Sequence, residues 1–301
     1  MRAWLLLWAV LSFGAHAADQ PAPPDEPPAT YEPAPTSEPA PTGEPPPPYE
    51  RPPVPPQSIA WKLEGAIGPL ASWAPDYSGA ATHQANWNLG FYLRYGRFSI
   101  SNTGGFVTRR EKDDVFRGLG VDLRRSENLR LNVGLRVAKG RTSTDARGLE
   151  GIDDVRQTIR ARFSATWQID PVWKMAAGLN SDILGRGGGN LVDLALVHDR
   201  RWSPSTTFSV GASMTAADER YMTSWYGVDE SESAASRLPQ YAPGPGLRDA
   251  SLSFGARSEI GTDWIVLWGV SISRLAGPAA QSPLTTSTRQ WGASGGVARR
   301  F

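Results

Sequence analysis

Acyl or phosphoryl transfer by side chains needs a nucleophile, a base and an orienting group within bonding distance of one another. This chain of 301 residues offers little of that: it has no cysteine and only three histidines, His16, His83 and His198. His198 stands beside Asp199 on an apolar face, but no serine nucleophile motif accompanies them. No His, Asp or Glu spacing matches a metal site. Residues 185–189, Gly-Arg-Gly-Gly-Gly, lack the lysine of a phosphate loop and read as a tight turn. No catalytic, cofactor or metal residue is therefore expected, and His198 reads as an interfacial side chain. The arginines are more informative. Arg94, Arg130, Arg136, Arg156, Arg160, Arg162, Arg257 and Lys174 share one parity of alternating segments with Glu64, Asp122, Asp182 and Asp193. Set around a lumen, such residues either neutralise one another as an ion-pair network or leave rings of arginine that favour anions.

The elements that must position them are strands. From Val155, every second residue of 155–169 is Val, Gln, Ile, Ala, Phe, Ala, Trp, Ile, while the intervening ones are Arg156, Thr158, Arg160, Arg162, Ser164, Thr166 and Gln168. Period two with one apolar and one polar face is a strand between two different media. Its length suits a tilted crossing of a bilayer. The same alternation recurs at 61–67, 87–95, 98–100, 119–124, 129–137, 173–180, 192–198, 208–214, 252–257, 264–273 and 291–301. Twelve segments result, with ten as the nearest other count. The expected fold is all-β: a closed antiparallel transmembrane β-barrel, apolar outside and polar inside. Links 96–97, 125–128, 170–171, 201–204 and 259–262 are short. Links 69–84, 102–114, 140–154, 217–247 and 276–288 are long, and only 185–189 departs from the alternation. Short turns on one side and long loops on the other suit an outer-membrane barrel whose N-terminus is periplasmic. Such a topology places His83 in the first long loop.

Trp61, Trp87, Trp167, Trp173, Trp264 and Trp291 fall at segment ends on the apolar parity, as an aromatic girdle would. A soluble β-sandwich also alternates, but it buries its apolar face and needs no such rim. Phe301 ends the last segment on the apolar parity. A terminal aromatic strand resembles the sorting signal by which the barrel-assembly machinery receives outer-membrane barrels. Arg299 sits on the same parity and is expected to snorkel at the interface.

The start of the chain differs in character. Residues 1–17 read as a signal peptide: Arg2, an apolar core over 3–13, then Ala15-His16-Ala17. Residues 18–58 are Pro/Glu-rich; 19–57 hold 17 of the 26 prolines and seven acids against Arg51. This stretch cannot bury a core and is expected to be a disordered, extended periplasmic arm. It is either a spacer or a ligand tract for a groove-lined partner. Residues 58–301 carry 29 basic and 23 acidic side chains. The mean hydropathy of the chain is negative, which does not argue against a barrel because lipid-facing and lumen-facing residues average out. No later run is long and apolar enough for a membrane helix. No nucleic-acid partner is expected.

Three blocks carry a resemblance. One is Ala146-Arg147-Gly148-Leu149-Glu150-Gly151-Ile152-Asp153-Asp154. A second is Tyr226-Gly227-Val228, then 233–241 (Ser-Ala-Ala-Ser-Arg-Leu-Pro-Gln-Tyr), then Gly244, Gly246 and Leu247. The third is Ser273-Arg274-Leu275-Ala276-Gly277, then Ala280, Ser282 and Pro283. In order and spacing over 59–301 they resemble the MipA/OmpV family of outer-membrane proteins, the MltA-interacting proteins. The chain departs from the family in two places: Arg299 stands where an aromatic is usual near the end, and the Pro/Glu arm is not general. The resemblance implies an outer-membrane barrel in contact with lipid and a scaffold for peptidoglycan-remodelling enzymes, a lytic transglycosylase or a penicillin-binding protein. Other members are described as small pores, adhesins or osmotic-stress proteins, so the resemblance specifies location better than activity. No enzymatic activity is expected.

Overall fold

The computed structural model describes residues 61–102, 118–126, 128–144 and 148–301. The signal peptide 1–17, the arm 18–58, most of the 102–114 link and Ala146-Arg147 lie outside the described residues. Twelve strands form one closed antiparallel barrel, each paired with its sequence neighbours and the first with the last. They are β1 (Leu63–Pro75), β2 (His83–Tyr95), β3 (Phe98–Ser101), β4 (Gly118–Arg125), β5 (Leu129–Ala138), β6 (Thr158–Gln168), β7 (Trp173–Asp182), β8 (Asn190–Ser203), β9 (Thr206–Ala217), β10 (Gly246–Ile260), β11 (Trp264–Leu275) and β12 (Arg289–Arg300). Among the described residues three helices stand in the connections: α1 (Glu219–Tyr226), α2 (Glu230–Ser236) and α3 (Gly277–Gln281). No described helix is long and apolar enough to cross a membrane. Each strand is paired on both sides, β2 with β3 only over Tyr92–Tyr95, and closure of the ladder suits a lipid environment.

The pleat turns the period-two pattern into an inside and an outside. Leu89, Leu119, Val137, Leu179, Leu194, Leu252 and Ile272 are exposed on the outer wall, while Arg94, Asp122, Asn132, Arg160 and Ser164 are buried within. A continuous exposed wall of large apolar side chains belongs in lipid rather than water.

Three expectations are corrected. The link 69–84 is mostly strand: β1 runs to Pro75 and β2 begins at His83, leaving 76–82 as the connection. His83 is thus the first residue of β2, not a loop residue. Pro69 has no N–H to give to a ladder. The ladder to β12 is unpaired only at Gly68 and Pro69, between Ile67↔Arg299 and Leu70↔Gly296, and resumes in the same register. Gly68 serves this seam by close approach, because an added Cβ would meet the Val297 carbonyl oxygen. The third correction concerns 155–169. β6 starts at Thr158, and Val155 instead forms an isolated bridge with Arg141. Val155 is buried and Arg156 and Gln157 are exposed, so the parity breaks there and Arg156 does not point into the lumen.

Candidate functional site

Toward the short-turn end, the lumen is filled by side chains reaching from the wall. Asp122 on β4 is the centre of one cluster. It accepts Arg94 Nη2 of β2 at 2.6 Å, Arg130 Nε and Nη2 of β5 at 3.1 and 3.0 Å, and Asn132 Nδ2 at 3.1 Å. The Asp122 side chain is 8% exposed and that of Arg94 equally so. β3 has only four residues, which lets β2 and β4 bring Arg94 and Asp122 together across it. Arg94 Nε also donates to the Gly96 carbonyl in the β2–β3 turn at 3.1 Å. Glu64 is half-buried opposite Arg94 in register, and Arg136 is half-buried on β5.

A second cluster joins the end of the barrel. Glu259 accepts Arg257 Nη2 at 2.7 Å and pairs with Arg300 Nη2 at 3.0 Å. Higher on the wall, Asp193 accepts Asn180 Nδ2 at 2.6 Å and faces Arg162 Nη1 at 3.7 Å. Asp199 pairs with Lys174 Nζ at 3.2 Å and accepts Ser209 Oγ at 2.6 Å. Low-dielectric charges persist when paired and hydrogen-bonded. Acid and base here neutralise one another across strands, rather than leaving a bare cationic ring.

The long-loop end is closed in another way. α1 lies at the mouth, with Tyr221, Met222 and Tyr226 buried against inward-facing Leu191 of β8, Ala217 of β9 and Leu275 of β11, and against Ala279 of α3. Met222 has no exposed surface. Asp218 caps α1, accepting the Tyr221 amide at 2.8 Å and Asn190 Nδ2 at 2.7 Å. Burial pushes the Asp218 carboxyl up, but these amide donors and the nearby Arg160 charge hold it below the usual carboxylate value. The Tyr221 ring lies between two guanidiniums, Arg160 at 5.4 Å and Arg248 at 5.6 Å. Arg248 Nη1 also donates to its hydroxyl at 3.0 Å. Arg160 donates to the carbonyls of Gly188 and Gly189. This ties the 183–189 turn to the same point. Asp182 caps that turn, accepting Thr158 Oγ1 and the Gly188 and Leu184 amides.

A second apolar cluster above it joins Tyr77, Ala80, Leu149, Ile152, Val228 and Leu284, one or more from each of four connections. Arg141 Nη1 donates to the Trp225 carbonyl at 2.6 Å; burial draws its pKa down while Glu232 and neighbouring groups oppose that. The Tyr226 hydroxyl meets Ser78 Oγ at 2.8 Å, and burial raises its pKa well above the ordinary phenol range. These four connections are therefore one knitted cap rather than independent loops.

Two aromatic rims border the wall. Trp61, Tyr95, Phe98, Trp167, Trp173, Trp202, Trp264 and Phe301 are exposed at the short-turn end. His198 meets Trp173 edge-on at 4.7 Å. At the other end Trp291 contacts Trp73 at 3.8 Å, and His83 stacks on Trp73 at 4.1 Å. Trp87 stands inside β2 rather than at its end. Phe301 exchanges backbone hydrogen bonds with Gly65 at 3.0 and 3.1 Å, so the terminal residue takes part in the closing seam.

Sequence reasoning missed Tyr221, Arg248, Arg141, Glu259 and Arg300. A signal existed for the first: Asp218 as a cap, followed by apolar or aromatic residues at 221, 222, 225 and 226, is helical spacing. The pairing of Glu259 with Arg257 and Arg300 depends on register and had no local signal.

Among solved structures, the chain is similar to a "KdgM porin" at 7% identity, covering 78% of this chain and 99% of that one with a TM-score of 0.36. It is similar to the "Anion-selective porin from Comamonas acidovorans" at 8% identity, covering 80% and 99% with a TM-score of 0.37. No curated protein matches the chain. The model of the family described as MltA-interacting protein MipA matches residues 67–301, which hold nearly all of the barrel and its cap, and the chain belongs to that family.

Proposed function

We propose that this protein is an outer-membrane barrel that conducts little or nothing and acts as a scaffold for peptidoglycan-remodelling enzymes, of the lytic transglycosylase or penicillin-binding class. One observation carries the reading: α1 is packed into the barrel mouth on an apolar face with no exposed surface at Met222. A molecule whose mouth carries a packed helix and whose lumen wall is lined by paired charges is read as acting through its surfaces. The family name, MltA-interacting protein, supports a murein-hydrolase partner. Trp61, the first described residue, packs on Tyr95 beside the 96–97 turn, at 5.3 Å between rings. The described part of the chain thus begins at the short-turn end. From its composition alone, the Pro/Glu-rich stretch 18–58 is read as the periplasmic tether for such a partner, with residues 1–17 removed on export. The terminal strand through Phe301 is the signal for the assembly machinery.

The test is a cross-linking pull-down from the cell envelope with full-length protein and with protein lacking 21–56. Recovery of murein synthases or lytic transglycosylases that is lost with the arm supports a tethered scaffold. Recovery unaffected by the deletion moves the contact to the short turns. Absence of such enzymes from both samples overturns the scaffold. A second reading is a small pore. Steady anion-selective channels from the refolded protein in a planar bilayer would establish it in place of the first.

A further inference from the structure

Arg274 and Arg289 stand directly opposite each other across β11 and β12. Both are exposed. Their parity is outward, because the next pair down, Ile272 and Trp291, is 65% and 53% exposed on the apolar wall. Like charges in register destabilise a ladder. Among the described residues no carboxylate lies within ion-pair distance of either guanidinium. The neighbour of Arg274 on its other side is uncharged Ala250 of β10.

Their height on the wall is also informative. Trp264 and Arg299 are paired at the short-turn rim. Arg274 follows ten residues later on β11. At ~3.3 Å per residue and a tilt of ~40° this is about 25 Å, the height of the apolar band of a membrane barrel. Both guanidiniums thus stand at headgroup level in the leaflet on the long-loop side. Below Arg274 the outer wall is concave. A groove of about 600 Å³ has Leu196, Met214, Leu252 and Ile272 as walls and Ala212 and Ala250 as floor, with Arg274 at its top.

We propose that Arg274, Arg289 and this groove bind a phosphorylated, multiply acylated lipid of that leaflet. The phosphate bridges the two guanidinium forks, whose planar donors match its oxygens, and an acyl chain lies in the groove. Bound phosphate relieves the repulsion that the ladder otherwise carries, and the groove accepts a hydrocarbon chain because its lining is alkyl. This site rests on the membrane placement of the barrel, and neither on the scaffold role nor on the closed lumen.

The test uses full-length protein refolded in uncharged detergent. It is titrated with a bis-phosphorylated acylated glucosamine disaccharide, its dephosphorylated counterpart, and inorganic phosphate, with binding read by native mass spectrometry. A heat-dependent gel shift verifies folding of every variant. The expected result is binding of the phosphorylated lipid at least tenfold tighter than of the dephosphorylated one. Arg274→Gln and Arg289→Gln should each lose about tenfold, the worth of one charge-assisted hydrogen bond, whereas Arg299→Gln at the opposite rim should lose nothing. Ala250→Phe should weaken lipid binding by filling the groove while both arginines remain. Equal binding of the two lipids, equal binding by wild type and the arginine variants, or inorganic phosphate bound as tightly as the lipid would each overturn the proposal. None of these outcomes bears on the envelope pull-down, so the two readings fail separately.

Discussion

At the short-turn end the lumen wall is lined by Arg94–Asp122–Arg130 and Arg257–Glu259–Arg300. At the long-loop end the lumen is closed by Tyr221, Met222 and Tyr226 of α1. The contrast follows from chain length. A turn such as 96–97 has no residues to spare, so only wall side chains can fill the space beside it. Long guanidinium arms reach to neighbouring strands, and each buried charge needs a partner there. The 218–245 connection is long enough to bring its own helix and its own apolar face. One closure therefore belongs to the strand ladder, and the other is a module laid upon it.

The largest test of this difference is Asp122→Ala. It leaves two guanidiniums facing each other without their shared carboxylate and should cost about 3–5 kcal/mol of barrel stability, read by urea unfolding in lipid micelles. A cost near zero would mean that water, not the wall, neutralises that cluster. Met222→Ala should cost about 3 kcal/mol, but locally: amide exchange across α1 and α3 should accelerate, while β4 and β5 stay protected. Global unfolding at the same midpoint shift would show that cap and wall are one cooperative unit. Conductance offers the same contrast, since replacing 219–226 by a Gly/Ser run of equal length should raise bilayer current while the barrel still refolds.

A smaller effect is expected at Asp218, where loss of the cap in Asp218→Ala should cost about 1 kcal/mol. Its folded pKa is depressed. The charge therefore contributes fully above the unfolded value of about 4 and is lost as pH falls through the folded value. Protection of α1 amides, corrected for intrinsic exchange, should drop below about pH 4 in wild type. It should hold steady in Asp218→Asn, which still caps. The smallest effect is predicted for Arg156→Gln, within about 0.5 kcal/mol, because that side chain is exposed above β6. A loss comparable to that of Asp122→Ala would return Arg156 to the lumen and break the comparison.

The alternation of side chains by itself determined the barrel and its two faces and brought the strand count to twelve or ten, because a pleat converts parity into side without reference to any partner. It also determined that arginines such as Arg94, Arg130 and Arg162 share a face with Asp122 and Asp193. It did not determine which acid meets which base. Arg94 and Asp122 come from strands separated by β3, and their distance depends on how short β3 is and how the ladders are staggered. Nor did it carry β1 past Pro69, since a missing N–H ends a strand only where the neighbour needs it, and β12 resumes its pairing beyond. The break at Val155 arose from Arg141, a residue remote in sequence that competes for its backbone. The contacts that join the cap were decided by tertiary structure. Its two apolar clusters draw on connections up to two hundred residues apart, as the bond from Tyr77 to Leu284 shows. No local pattern specifies a contact whose favourable energy exists only after the barrel has closed and brought its loops to one rim.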